Sequence, residues 1–222
     1  MMTQLKIAGW QKVSLIDYPG RLASVLFLAG CNMRCHYCHN RHILDPAQNK
    51  ISFNTVLAAL RKRRYWIDAV VVSGGEPTVY PELVTLLRAL KDLGLLVKLD
   101  TNGTRPLVIK RLIAMGLVDY LALDLKAPAA KHIAITGLPD DTVLQSLQYL
   151  KQQKKIPFVV RTTLSPRLTL SDLVEMAKTL INDVPLWQIQ QCRCPGAYST
   201  SEVLEMVKVL QKFVPNVVVK NL

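Results

Sequence analysis

Short apolar runs recur along this chain, each followed by a stretch of helical periodicity, and that alternation narrows its folds more than anything else in it. The runs lie at 23–28, 69–72, 96–100, 120–125, 158–163 and 187–190; between them, 55–65, 81–93, 106–115, 141–153 and 171–181 repeat apolar residues at helical spacing. Boundary signals agree with this reading. Pro81 suits a first helical turn, Gly94 and Gly116 suit stops, and Ser199-Thr-Ser-Glu202 has capping-box spacing before a last helix. Residues 217–219 add a candidate final strand. Six strands joined by helices predict a parallel sheet with right-handed crossovers, its strands apolar on both faces because helices cover it. Six units are too few to close an eight-stranded barrel, so the expected fold is α/β, an open partial (β/α)6 TIM-like barrel with parallel strands. With no internal repeat, low-complexity stretch or linker, residues 1–222 read as a single domain.

A chain of 222 residues, half of them hydrophobic, can bury a substantial core. No apolar run approaches the ~18 residues of a membrane span, and the N-terminus lacks a signal-peptide pattern, so a cytoplasmic protein without a membrane partner is expected. The formal charge of +12 favours approach to acidic or anionic partners. Its densest run, Arg61-Lys-Arg-Arg64, ends a helical segment, where cations complement the helix dipole. No aromatic residues interleave with basic ones as they do where single-stranded bases stack, and nucleic acid is not the expected partner. Of five cysteines, three crowd one loop, which suits metal binding in a reducing compartment better than a disulfide framework.

In parallel α/β folds chemistry gathers at the C-terminal ends of strands. Here the six runs end, in order, at Cys31-Asn-Met-Arg-Cys35-His-Tyr-Cys38, Gly74-Gly-Glu-Pro77, Asp100-Thr-Asn-Gly103, Asp124-Leu-Lys126, Arg161-Thr-Thr163 and Gln190-Gln-Cys192. Each is an ordinary turn or strand end by itself; all six on one rim are not. Spacing of C-x3-C-x2-C lets three thiolates hold three irons of a cluster and leaves the fourth open. A structural zinc site completed by His36, His39 or His42 is the alternative. An open iron needs a chelating ligand. Gly74 and Gly75 leave backbone groups accessible, Glu76 can accept from an ammonium, Lys126 and Arg161 suit a carboxylate, and Thr101 and Asn102 suit a ribose. Amino acid, ribose and iron–sulfur together point to S-adenosylmethionine.

The cysteine motif with Tyr37 before its last cysteine, followed by Gly74-Gly-Glu-Pro77 on the next strand, resembles the radical S-adenosylmethionine superfamily, through all six strands. Ile16-Asp-Tyr-Pro-Gly20, Gly30-Cys-Asn-Met-Arg-Cys35, Cys38-His-Asn-Arg41, Asp100-Thr-Asn-Gly103 and Asp124-Leu-Lys126 are similar to the glycyl-radical-enzyme activating proteins. The stretch from Gly9 to Gly20 looks most like those that activate anaerobic ribonucleotide reductase. The resemblance implies the radical S-adenosylmethionine fold and an oxidoreductase. Cys31, Cys35 and Cys38 would hold a 4Fe-4S cluster that reductively cleaves S-adenosylmethionine, and the resulting 5'-deoxyadenosyl radical would take a hydrogen from a glycine of a partner enzyme.

By the same resemblance Gly74, Gly75 and Glu76 meet the methionyl amino end, Asn102 the ribose, Lys126 and Arg161 the carboxylate side, and backbone groups of Tyr37 the adenine. Asp100, Thr101 and Asp124 match positions that surround a monovalent cation in some relatives. Asp17 is expected to face the partner's glycine loop, with 1–22 as the partner-facing segment. A flavodoxin or ferredoxin-type protein is the expected electron donor. Some relatives carry a histidine where this chain has Gln190-Gln191, which leaves cofactor contact from that strand open. Cys192-Arg-Cys194 has no counterpart and reads as partly exposed thiols in a turn. The absence of a cysteine-rich insertion between Cys38 and Thr55 favours a single-cluster activase.

Three alternatives stand beside this reading: an activase of another glycyl radical enzyme such as pyruvate formate-lyase, a small-molecule enzyme of the 7-carboxy-7-deazaguanine synthase type, and, from another class, a zinc-dependent nucleic-acid-binding module.

Overall fold

The computed structural model describes residues 5–45 and 51–220; residues 1–4 of the N-terminal segment lie outside them. The polypeptide forms one eight-stranded sheet whose spatial order follows the sequence: β1 (Ile7–Ser14), β2 (Ala23–Leu28), β3 (Ala69–Gly74), β4 (Leu96–Thr101), β5 (Tyr120–Asp124), β6 (Phe158–Leu164), β7 (Trp187–Gln191) and β8 (Val217–Lys220). From β2 to β8 every pairing is parallel, and β1 joins β2 antiparallel. No pairing among the described residues joins β8 to β1, so the barrel stays open. The connecting helices are α1 (Phe53–Arg63), α2 (Leu83–Asp92), α3 (Pro106–Ala114), α4 (Ala129–Thr136), α5 (Asp141–Gln152), α6 (Leu170–Thr179) and α7 (Thr200–Leu210).

The six expected strands form with ends shifted by a residue or two, the candidate at 217–219 is β8, and Ser199 caps α7 through the expected capping box. Two elements are additions. Strand β1 occupies what reads as a polar lead-in. Gly9, Trp10, Gln11 and Lys12 give no apolar run, because an edge strand of this kind needs only partial burial. Helix α4 is a two-turn helix between Pro128, which precedes it in an extended conformation, and Gly137, whose φ of 79° ends it.

Alternation along the strands sorts the core into two layers. Val70 and Val72 of β3, Val97 and Leu99 of β4, Leu121 and Leu123 of β5 and Val160 of β6 join the main core, which also holds the buried faces of the helices. The other face is concave and only half apolar. At the N-terminal end of the strands Ala23, Val25, Ala69 and Val71 pack with Tyr18, and the Tyr18 and Tyr120 rings lie 5.8 Å apart. Tyr18 precedes β2 and Tyr120 opens β5, so this contact across the sheet requires its curl. Farther along the same face come Lys98, Asp100, Asp124 and Arg161, charged residues where strands apolar on both faces are expected.

Candidate active site

All six expected strand ends reach a single cavity of about 220 Å³. Its wall takes Cys31, Cys35, Tyr37 and Cys38 from the loop after β2, and Ser73, Gly74 and Gly75 from the end of β3. Asp100, Thr101 and Asn102 come from β4, Asp124 and Lys126 from β5, Arg161 and Thr163 from β6, and Gln190 from β7. Gln190 settles the geometric question at that strand: it faces the cavity, whereas the Gln191 amide donates to the Tyr198 carbonyl.

The glycine pair is explained first by its neighbours. The Gly75 amide donates to the Leu28 carbonyl at 2.8 Å and the Glu76 amide to the Gly30 carbonyl at 2.9 Å, which stitches this loop to the start of the cysteine loop. A Cβ on Gly74 would stand 2.3 Å from the Leu28 nitrogen, and one on Gly75 would stand 1.8 Å from the Gly30 oxygen. Gly74 also has a φ of 118°. Backbone meets backbone too closely here for any side chain. Glycine at both positions therefore seats the cysteine loop, in addition to baring backbone to the cavity.

Glu76 differs from its expected place. Only 1% exposed, it is not on the cavity wall, and its carboxylate is already engaged. Oε1 accepts from the Thr78 amide, the Thr78 hydroxyl and the Thr101 hydroxyl, and Oε2 accepts from the Asn102 amide. Burial pushes its pKa up, and these donors pull against that shift. Glu76 thus braces the Thr101-Asn102 turn.

The cysteine loop is fixed by contacts invisible to its own motif. Asn32 donates to the Thr104 hydroxyl at 2.7 Å and accepts from the Asn102 amide group at 2.9 Å. The Arg34 and His36 amides donate to the carbonyls of Thr136 and Ile135, the last residues of α4. Thr104 and α4, both missed by sequence reasoning, therefore hold the loop; the chemistry of a cysteine motif does not disclose what supports it.

The three thiols are free and half-buried. Burial pushes the Cys31 thiol up to about 11 and raises that of Cys35; these are properties of metal-free thiols, since a coordinating metal deprotonates them. Among the described residues no three His, Cys, Asp or Glu side chains converge closely enough to hold one ion. A single zinc would require such convergence, whereas the thiolates of a cluster each take a separate iron. The candidate fourth zinc ligands are otherwise placed: the His36 ring packs edge-on against Tyr37, His39 accepts from the Arg193 amide, and His42 is exposed. Three free thiols beside a cradle of backbone and cations fit an iron–sulfur group with one iron left for a ligand.

Opposite the thiols lies an ion-pair network. The Arg161 guanidinium donates to Asp124 and to Asp100, both at 2.8 Å; Lys126 pairs with Asp124 at 3.2 Å, and Lys98 with Asp100. Burial opposes the charge on both carboxylates, yet Arg161 with Lys98 or Lys126 outweighs it and holds Asp100 and Asp124 below the usual carboxylate range. Burial likewise opposes the Lys126 charge, but Asp124, Tyr37 and Cys35 raise its pKa. Three cations against two carboxylates leave one positive charge for an anionic ligand group. The monovalent cation expected at Asp100, Thr101 and Asp124 meets a different arrangement: Lys98, Lys126 and Arg161 occupy the carboxylates and the Thr101 hydroxyl serves Glu76.

Asp17 lies elsewhere. Strand β1 pairs Ile7 with Leu28 and Ser14 with Ala23, so the loop that follows it sits at the N-terminal end of β2, opposite the cysteine loop. Ser14 donates to the Asp17 carboxylate, Leu15 and Ile16 are 78% and 66% exposed, and Tyr18 plugs the barrel from that side. Asp17 nevertheless belongs to the charged surroundings of Lys220 on β8, together with Lys98, Asp100 and Arg161.

Comparison with known proteins agrees with this geometry. The pattern of the Radical SAM superfamily matches residues 25–180. A Methanocaldococcus jannaschii protein named as a glycyl-radical enzyme activating enzyme is 33% identical over 97% of this chain and 96% of its own length. The pyruvate formate-lyase-activating enzyme of Streptococcus mutans is 34% identical over 75% of this chain and 70% of its own. Among solved structures, Streptococcus suis SuiB bound to precursor peptide SuiA superposes with a TM-score of 0.74 at 15% identity, covering 89% of this chain and 48% of SuiB, a likeness of fold.

Proposed function

This chain belongs to the radical SAM superfamily and, within it, to the glycyl-radical-enzyme activating enzymes, and from that premise we propose that it installs a glycyl radical on an anaerobic ribonucleotide reductase. The observation that carries the site reading is the meeting of three free thiols, the Gly74-Gly75 turn and the Lys126–Arg161 cations in one cavity. Cys31, Cys35 and Cys38 would hold a 4Fe-4S cluster; the cluster and S-adenosylmethionine supply one-electron sulfonium cleavage and a carbon radical. Backbone at Gly74 and Gly75 receives the amino end of the ligand, Lys126 and Arg161 its carboxylate side, Asn102 the ribose and Tyr37 backbone the adenine. Glu76 positions Asn102 through the hydrogen bond that it accepts from the Asn102 amide. Asp17 and the exposed Leu15 and Ile16 form the side that the partner enzyme meets.

The reductase is favoured by the N-terminal stretch from Gly9 to Gly20, which resembles activating proteins of that enzyme. A second reading, activation of pyruvate formate-lyase, is supported by the 34% identity with the streptococcal activating enzyme. The test is anaerobic incubation of the reconstituted protein with reductant, S-adenosylmethionine and each candidate partner in turn. A glycyl doublet in electron paramagnetic resonance with the reductase is the expected result. A doublet with pyruvate formate-lyase alone moves the assignment to that enzyme, and cofactor cleavage without a doublet on any glycyl radical enzyme overturns the activase reading.

A further inference from the structure

Cys192 and Cys194 are not free thiols in a turn: they are joined to each other, with Cα atoms 5.5 Å apart, well inside the span that disulfides bridge. The bridge directly follows β7, whose Gln190 lines the cavity. Arg193, held between the two cysteines, donates its amide to His39 Nε2 at 3.3 Å, and His39 is the residue after Cys38 and part of the cavity wall. The bridged turn therefore ties the exit of β7 to the cysteine loop. Cys192 is 3% exposed while Cys194 is half-buried, which presents one sulfur to an incoming thiol and shields the other.

Two arguments weigh against a purely stabilising bridge. Disulfide stabilisation by chain entropy grows with the closed loop, and this loop is among the shortest there can be. The iron–sulfur chemistry of the family also requires reducing surroundings, where a disulfide is characteristically transient or redox-sensing. We propose that Cys192 and Cys194 form a redox-active dithiol–disulfide pair, a latch on the His39 wall of the active-site cavity that a small dithiol or a dithiol protein opens.

In the opening step a donor thiolate attacks Cys194 Sγ, forms a mixed disulfide and expels Cys192 as a thiolate, which takes up a proton. The donor's second thiol then attacks its own sulfur in that mixed disulfide and releases Cys194. Two electrons and two protons pass from donor to pair, and the donor leaves as a disulfide. Once opened, Arg193 is no longer held in a closed ring, and its amide lets go of His39.

The test uses the anaerobically prepared protein with its iron–sulfur group, equilibrated across a series of reduced to oxidised dithiothreitol, quenched, alkylated and read by peptide mass spectrometry. Peptide resolution keeps Cys31, Cys35 and Cys38 apart from the pair. The expected result is reversible, complete conversion of the 192–194 peptide between unlabelled and doubly labelled, with hydrogen exchange at Arg193 at least about tenfold faster in the reduced state. A variant carrying Cys192→Ser and Cys194→Ser should exchange at the faster rate in every buffer. Labelling of both cysteines even in fully oxidised buffer, resistance to excess dithiol in the native protein, or equal Arg193 exchange in both states would each overturn the proposal.

Discussion

Two loops flank strand β2, and they are built on opposite principles. The cysteine loop at its C-terminal end is surrounded by fixed partners: backbone carbonyls of α4, the Asn32–Thr104–Asn102 hydrogen bonds and a carboxylate–guanidinium network. The Ser14–Gly20 loop at its N-terminal end exposes Leu15 and Ile16 and is held by local contacts: Ser14 Oγ donates to the Asp17 carboxylate and accepts from the Ile16 and Asp17 amides, the Arg21 amide donates to the Tyr18 carbonyl, and the Tyr18 ring is buried. A site that must hold a small ligand in one geometry profits from pre-paired charges and hydrogen bonds, because they need not reorganise when the ligand arrives. Two adjacent exposed apolar residues on a short loop give a larger partner apolar area to cover. The proposed division of labour is therefore physical as well as positional, with chemistry assigned to one end of the strand and recognition to the other.

Three variants would break or sharpen that contrast. The largest effect is expected for Cys35→Ala, which removes a proposed cluster ligand: iron and sulfide should fall away on metal analysis, and cofactor cleavage and partner activation should vanish together. Retained cleavage would mean that the ligand set is misassigned. Next comes Arg161→Met, which leaves Asp100 and Asp124 buried without their shared cation and should cost about 3–5 kcal/mol in chemical denaturation at pH 7. The pH dependence has a definite sign. Both carboxylates are depressed in the folded protein, so their contribution is complete above the unfolded value of about 4 and is lost as pH falls toward the folded values. The difference between wild type and variant should accordingly shrink on acidification below pH ~4; a difference that widens there would contradict the network as described. The smallest and most selective effect belongs to the double change Leu15→Ser with Ile16→Ser. Partner-free cofactor cleavage should stay within about twofold while glycyl radical yield falls roughly tenfold, the loss of a modest interface hot spot. Equal losses in both assays would place this loop with the chemistry instead.

How much of this was legible beforehand differs by element. Cysteine spacing, the Gly-Gly turn and the strand–helix alternation are local patterns, and each corresponds to something in the structure. Strand β1 was hidden because an edge strand can carry Gly9, Gln11 and Lys12 without an apolar run. Lys98 sits inside a run that otherwise reads as buried and apolar; its ammonium is tolerated only because Asp100, two residues on, points the same way along the strand. A carboxylate in a glycine-rich turn suggests contact with a ligand, and Glu76 has that pattern. Two of the four donors that occupy its carboxylate come from Thr101 and Asn102, at the end of another strand, and the other two from Thr78.

The sequence by itself determined the parallel architecture and the chemical types gathered on one rim, which follow from periodicity and from the order of a few reactive residues, and its motifs carried the resemblance to the family. Only the tertiary structure decided which of those residues face the cavity, which brace their neighbours, that Cys192 and Cys194 pair beside His39, and that the loop of Asp17 lies at the far end of β2. The physical reason is common to all four. A spacing fixes which groups can act within a turn or two, whereas burial, charge pairing and sheet register depend on segments brought together from as many as 154 residues apart.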